Sequence, residues 1–253
     1  MKPDISVIIP VYKGQRYIAE AINSALSQTG VNHEVLVVDN CSDEETTEKI
    51  KKYVDTDERL FYISTSANEG LAGVRNTGVA AASGNWVAFL HADDKWHNDK
   101  LFRQNELIRQ YELSGKYPPL CYTGAYVLKR DGCFTGRSIK APLRVTSQEL
   151  LLGKIILTST VMVRRECMLE YPFESGNLHE DYIGWFRILD KYGPGIGVSL
   201  PLTRYRLTKG PKTRRIKSAH KAWRTYRYLG LTNAQALVSF LYFIAHGLQR
   251  YVL

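Results

Sequence analysis

The chain has 253 residues, 44% of them hydrophobic and 23% charged, with no repeat and no low-complexity tract. That length supports a sizeable core, and the composition excludes a disordered or fibrous protein. The formal charge of +9 is uneven: residues 191–253 hold twelve Lys and Arg and no Asp or Glu, so the first 190 residues are mildly acidic and the basic tail points to an anionic partner surface.

The opening MKPDISVIIPVY has too short an apolar run and too early a proline for a signal peptide, so a cytosolic protein is expected. Cys41, Cys121, Cys133 and Cys167 are widely spaced without a CxxC pair, which predicts free thiols. Asn40-Cys41-Ser42 matches a glycosylation sequon but carries no weight without a secretory signal.

In chain order, Ile5–Pro10 reads as a buried strand, and Ile18, Ile22, Ala25 and Leu26 give a helix from about Gln15 to Gln28. Glu34–Val38 is a second strand ending at Asp39. Ser42 and Glu45 form a capping box that opens a helix to about Val54. Leu60–Thr65 is a third strand, followed by a helix from about Gly70 to Ala82 and a fourth strand at Trp86–Leu90. His97–Glu112 reads as an amphipathic helix. Leu120–Leu128 and Phe134–Ile139 flank Arg130-Asp131-Gly132, a hairpin signal. A short helix at Ser147–Leu152, a strand at Thr160–Val163, a helix at Glu180–Tyr192 and an extended Ile196–Leu207 come next. Two helices, about Thr213–Leu229 and Asn233–Val252, close the chain.

Strands alternating with helices predict a mostly parallel sheet with helices on both faces and a ligand crevice at the C-terminal strand ends. Those ends are Pro10-Val11-Tyr12, Asp39-Asn40, Ser66–Gly70 and His91–Asp94, so the unusual polar residues of this half converge on one rim. The stretch VAFLHADD at Val87–Asp94 runs from a buried strand into His91, Asp93 and Asp94. By residue type alone it suits a turn as well as it suits a divalent cation. No GxxxxGK[ST] occurs, which argues against a P-loop enzyme, and the glycine-dense Gly193–Gly197 follows a helix and reads as a turn.

Five segments in order, SVIIPVY (6–12), EVLVVDNCSD (34–43), NEGLAGVRNTG (68–78), LHADDKW (90–96) and HEDYIGWFRI (179–188), resemble the family 2 glycosyltransferases over about residues 4–207. The resemblance implies a Rossmann-like α/β fold of the GT-A type. A GT-A domain over 1–207 is expected, with a nucleotide-binding half at 1–96, an acceptor half at 97–207 and a basic helical extension at 208–253. It implies an inverting enzyme that moves a sugar from a nucleotide donor, most simply UDP-linked, to a saccharide or lipid-linked saccharide. The expected setting is the assembly of O-antigen, capsule or another surface polysaccharide.

Under that resemblance Pro10, Val11 and Tyr12 line the base and ribose pocket, Asp39 accepts from the uracil N–H, and Asn68 shapes the loop beneath Arg75, which approaches the diphosphate. Asn76 and Gly78 are expected to serve helix packing. The family's DADD appears here as His91-Ala92-Asp93-Asp94. Asp93 is the first choice as ligand of a divalent cation, Mn²⁺ or Mg²⁺, with Asp94 either a second ligand or a cap. His91 would meet the ribose, add a nitrogen ligand or be a bystander. Asp181, in the family's ED motif, is implied as the base that takes the acceptor hydroxyl proton. Glu180, beside it in the motif, is placed with the acceptor site and lid, Trp185 is an acceptor-site wall or core, and Arg206 belongs to a lid over the diphosphate, although the Leu207-Thr208-Lys209 that follows departs from the family pattern.

In the tail, Arg204–Arg227 holds ten Lys or Arg among aromatic residues, and ALVSFLYFIA at 236–245 is apolar but too short for the roughly 20 residues that span a bilayer. This predicts a peripheral protein lying on the anionic cytoplasmic leaflet through residues 204–253, rather than a nucleic-acid binder or a helix simply packed on the domain. The rival reading is an inactive nucleotide-sugar-binding scaffold, suggested by His91 in the place of the first motif Asp.

Overall fold

A computed structural model describes the whole backbone except Met1, Gln15, Ile155, residues 208–210 and Leu253, and all side chains except these and those of 211–217 and 246–252. The first half alternates strand and helix: β1 (Ile5–Val11), α1 (Ile18–Leu26), β2 (His33–Asp39), α2 (Glu44–Val54), β3 (Leu60–Ser64), α3 (Gly70–Ala81) and β4 (Trp86–Phe89). The second half is more irregular: β5 (Lys95–Trp96), α4 (Lys100–Leu113), β6 (Leu120–Leu128), β7 (Phe134–Ile139), β8 (Arg144–Val145), α5 (Ser147–Leu151), β9 (Met162–Arg164) and α6 (Arg165–Glu170). Then come α7 (Glu180–Tyr192), β10 (Gly195–Arg206), α8 (Pro211–Tyr228) and α9 (Asn233–Val252).

One sheet runs through the molecule in the order β3-β2-β1-β4-β9-β6-β10-β5, with β7 on β6 and β8 on β10. The β3-β2-β1-β4 half is parallel throughout. Beyond β4 the sheet is mixed, because β9 enters antiparallel between β4 and β6 and only β6 and β10 run parallel there. The expected parallel run is thus unbroken from β3 to β4 and interrupted beyond it.

Every residue of β1 and β2 is buried. Alternate side chains enter two cores, as expected for a strand covered on both faces. Ile8, Leu36, Phe89 and Val163 face a core completed by α3, α6 and α7, and Val7, Val35, Ile22 and Leu101 face one completed by α1, α2 and α4. At about 1.5–3 kcal/mol per buried large aliphatic or aromatic side chain, these two layers dominate folding. Pro10 is tolerated in a central strand because even-numbered β1 residues bond toward β4, where Leu90 N–H donates to Ile8 O at 3.0 Å and the ladder ends.

The N-terminal signals of three helices differ from the sequence reading. The cap of α2 is Asp43, whose carboxylate accepts from Thr46 N–H at 3.0 Å, while the Ser42 hydroxyl accepts from Lys13 N–H at 3.1 Å. Helix α4 begins at Lys100, after a turn in which Asp99 binds His97 and Arg103. A capping box that the sequence reading missed, Thr146 with Glu149, opens α5. The free thiols and the β6–β7 hairpin are observed as expected.

The C-terminal helices form a small third core in which Ala222, Tyr226 and Ala236 meet Tyr182 of α7 and Leu151 of α5. Among the described residues no helix is long and apolar enough to cross a membrane.

Candidate active site

The C-terminal edge of the parallel half gathers most of the predicted residues. Pro10 and Val11 are buried within β1, and only Tyr12, 51% exposed, presents its side chain at the strand end. Asp39 closes β2 and is nearly sealed. Its carboxylate accepts from Ser42 N–H at 3.0 Å, from the Thr47 hydroxyl at 3.2 Å and from the Tyr62 hydroxyl at 2.8 Å. A carboxylate has about four acceptor positions, so one remains for a ligand N–H. Asn40 donates to Asn68 Oδ1 at 2.9 Å and accepts from Glu69 N–H, which pins the loop that launches α3.

Arg75 lies on α3 with 1% side-chain exposure. It donates to Nε2 of His91 at 2.7 Å and to Glu180 at 3.4 Å, and its guanidinium stacks 5.1 Å from the Phe173 ring. Arg75 is thus a bridge between the β4 loop and α7, and not a free cation lining the diphosphate site. A guanidinium only donates, so Nε2 of His91 must be the lone-pair nitrogen and the ring proton sits on Nδ1. Burial first, then the Arg75 charge, drives the His91 pKa down to about 4, so the ring is neutral.

Behind His91, Asp93 is partly exposed, while Asp94 is 1% exposed. Asp94 accepts from the Ser159 hydroxyl at 2.6 Å and from Arg206 N–H at 2.8 Å. Burial and the neighbouring Asp93 charge push its pKa up to about 7. One ligand atom from each of His91, Asp93 and Asp94 falls within 4.8 Å of the others. Two crowded carboxylates, one of them strained by burial, form the hard oxygen set a divalent cation relieves, so these residues fit such an ion. In this arrangement His91 adds no ligand, because its single lone pair is held by Arg75.

Asp181 stands in the first turn of α7. The Thr158 hydroxyl donates to its Oδ2 at 2.7 Å. Burial raises its pKa, but the Arg75 charge and the Thr158 hydrogen bond outweigh that and hold it below the usual carboxylate range. Glu180 moves the other way, raised by burial and by the Asp181 charge. Adjacent carboxyls whose environments push them apart divide naturally into one ionised acceptor and one group more readily protonated.

Two candidates are placed otherwise than expected. Trp185 is 1% exposed and packs edge-on against Phe173 at 5.5 Å, so of its two readings the core one describes its place. Arg206 is no surface lid: it is 3% exposed, donates through Nε to the Asp93 carbonyl at 2.8 Å and through Nη2 to Glu20 at 3.1 Å, and lies 4.4 Å over the Tyr17 ring. It braces the Asp93–Asp94 turn from below. Thr208 and Lys209, which follow it, lie outside the described residues. Sequence reasoning missed the Thr158–Thr160 turn. There Ser159 also accepts from His91 N–H at 3.1 Å, and the hydroxyl run Thr158-Ser159-Thr160 before a strand was the available signal.

The sequence model described as "Glycosyl transferase family 2" matches residues 6–118. The chain is 32% identical over 227 residues to TuaG of Bacillus subtilis, a glycosyltransferase provisionally assigned to teichuronic acid biosynthesis, with 89% of this chain and 88% of TuaG covered. It is 31% identical over 222 residues to WfgD of Escherichia coli, a UDP-Glc:α-D-GlcNAc-diphosphoundecaprenol β-1,3-glucosyltransferase, covering 87% and 83% of the two chains. Its fold matches the mannosyltransferase PcManGT of Pyrobaculum calidifontis, solved with GDP-Man and Mn²⁺, at TM-score 0.70 and 19% identity, over 100% of this chain and 77% of that one. The α/β sheet is that of the GT-A glycosyltransferases. The chain belongs to glycosyltransferase family 2, and it is a glycosyltransferase.

Proposed function

We propose that this enzyme transfers a sugar, with inversion, from a UDP-sugar to a saccharide carried on a polyprenyl diphosphate, during assembly of a bacterial surface polysaccharide. The observation that carries the reading is the junction of two sites by Arg75: the Asp93–Asp94 turn on one side and the ionised, half-enclosed Asp181 on the other. The UDP donor and the lipid-linked acceptor are supported by the activity named for WfgD.

In the proposed mechanism Tyr12, Asp39 and the Asn40–Asn68 loop hold the nucleoside. Asp93, with Asp94 as second ligand, would hold Mn²⁺ or Mg²⁺, which neutralises charge growing on the leaving diphosphate. His91 Nδ1–H is a donor aimed at ribose or phosphate oxygens. Asp181 accepts the acceptor hydroxyl proton as that oxygen bonds the anomeric carbon and the diphosphate leaves. An ionised carboxylate suffices because the hydroxyl becomes acidic only as the bond forms.

The basic α8 and the exposed Leu237, Val238 and Leu241 of α9 fit a peripheral protein on an anionic cytoplasmic leaflet, where the lipid-linked acceptor resides. The side chains of Lys212, Arg214, Arg215 and Lys217, part of that expectation, lie outside the described residues. The test is a screen of UDP- and GDP-sugars with a synthetic polyprenyl-diphosphate sugar acceptor, with linkage analysis of the product. A UDP-sugar donor and a product of inverted anomeric configuration are expected. Transfer only from GDP-sugars, or a retained configuration, would overturn the donor and mechanism respectively. Binding without any transfer or hydrolysis would favour the scaffold reading of His91.

A further inference from the structure

The start of α7 is built in an unusual way. Its N-cap, His179, makes no side-chain bond to its own helix. The first N–H groups of a helix need acceptors from somewhere, and most helices take them from the cap side chain itself. Within the first turn Tyr182 N–H donates to Asp181 Oδ1 at 2.9 Å, and the N-cap's own N–H is held from α8: His179 N–H donates to the Thr225 hydroxyl at 2.9 Å. The His179 ring is held by the same helix, with Nε2–H donating to the Ser218 carbonyl at 3.1 Å, and by α9, with the Phe243 ring centroid 6.1 Å away. The His179 carbonyl accepts from Ile183 N–H at 3.1 Å, as the first bond of α7. Every one of these groups is therefore fixed within three elements, two of them in the C-terminal extension. One turn further, Tyr182 packs edge-on against Tyr226 of α8 at 5.8 Å. Thr225 is 1% exposed and Tyr226 is 2% exposed, so this contact is not a surface graze. Glu180 and Asp181 follow His179 directly in sequence.

We propose that Thr225 is a positioning residue for the transfer reaction: by capping α7 from outside through His179, it fixes the first turn that carries Asp181, so the C-terminal extension is part of the active site's support. The proposal rests on Asp181 being the base. A 1 Å misplacement of a reacting group can cost about 100-fold in rate, so losing the cap is felt at the chemical step and not in donor binding, which is handled by β1, β2 and the β4 turn. The same frame explains why a strongly basic helix can be tightly packed on one side.

The test uses the full-length protein with Thr225→Val, which keeps shape and removes the hydroxyl, and Thr225→Ser, which restores it. Amide exchange of residues 180–183 is expected to quicken by about tenfold in T225V, with exchange in α3 and β4 unchanged. UDP affinity by calorimetry should stay within about twofold, and kcat with the donor and acceptor found in the screen should fall by about tenfold or more. T225S should restore both exchange and kcat. Unchanged exchange and kcat in T225V would overturn the proposal, and so would a T225S variant as impaired as T225V, or a loss of UDP affinity equal to the loss of kcat. If T225V does not fold, Thr225→Ala carries the same expectations. Asp181→Asn in the same series separates the two claims. If it keeps turnover, the base assignment fails while the exchange result still judges Thr225.

Discussion

At the scale of single residues, the site is governed by one buried cation. Arg75 has two partners that differ in kind: a neutral imidazole that can only accept from it and a carboxylate. The planar fork of arginine reaches both, whereas an ammonium reaches one. Arg75→Lys should therefore lower kcat/KM by about 100-fold, measured as initial rates of transfer. Nitrogen NMR of ¹⁵N-histidine protein should show His91 with a bare Nε2 and a protonated Nδ1 in the wild type; the opposite tautomer would break the account of the β4 turn. A second buried cation has nothing to do with the site. Lys100 is fully buried over the Trp96 ring at 4.0 Å, bonded to the Gln104 amide oxygen at 2.7 Å, and burial depresses its pKa from 10.5 to about 7. Between about pH 7 and 10.5 the unfolded chain holds more protons at this position than the folded one, so this residue's contribution to stability rises with pH. Denaturant unfolding should show wild-type stability gaining about 1 kcal/mol per pH unit relative to Lys100→Met from pH 7 to 8.5. Equal slopes for the two proteins would contradict a Lys100 that sheds its proton on folding in this range. The Cys121 thiol, pushed up to about 12 by burial, acts in the other direction only above pH 9, outside that window.

At the scale of elements, the parallel half was legible because its signals are local. Apolar β-branched runs, a proline stop and small-residue helix spacing placed β1 to β4 within a residue or two, and the strand ends then named the rim. Gly78 shows how tight that half is: a Cβ there would stand 2.5 Å from Ile8 Cγ2 and 3.2 Å from Val38 Cγ2. Alanine gains up to about 1 kcal/mol over glycine in helix propensity, but overpacking costs about 1–3 kcal/mol, so Gly78→Ala should lower Tm by a few degrees in calorimetry. Asp43→Ala should cost about 1 kcal/mol by removing the α2 cap, while Ser42→Ala should not touch that helix. The second half was less legible because its order depends on distant partners. That β9 inserts antiparallel beside β4, that Arg206 reaches back to Asp93, and that Thr225 caps α7 are contacts between residues 74, 113 and 46 positions apart or more in sequence, and no local pattern encodes them. The motif spelling of residues 90–96 located the candidate cation turn but not its chemistry, since the bond from Arg75 to His91 decides what that imidazole can do.

At the scale of the molecule, the extension has two faces with different work. The inner face of α8 meets α5 and α7, while α9 presents Leu237, Val238 and Leu241 at 50–58% exposure. Leu237→Ser with Leu241→Ser should reduce co-sedimentation with vesicles containing anionic lipid and leave UDP affinity unchanged. Binding that survives the double variant would remove the membrane role from α9, and binding that ignores added salt would remove it from the basic α8. Truncation after Arg206 should do more than release the protein from vesicles, because it also removes the Thr225 hold on the start of α7.

The central claim is that Asp181 is the base of the transfer, and Asp181→Asn tests it most directly. An amide keeps the shape, and its one oxygen still accepts from Tyr182 N–H, but it cannot take the proton. Turnover with the donor and acceptor identified in the screen should fall by about a thousandfold or more while UDP affinity stays within about twofold. A variant that turns over at the wild-type rate would contradict the account.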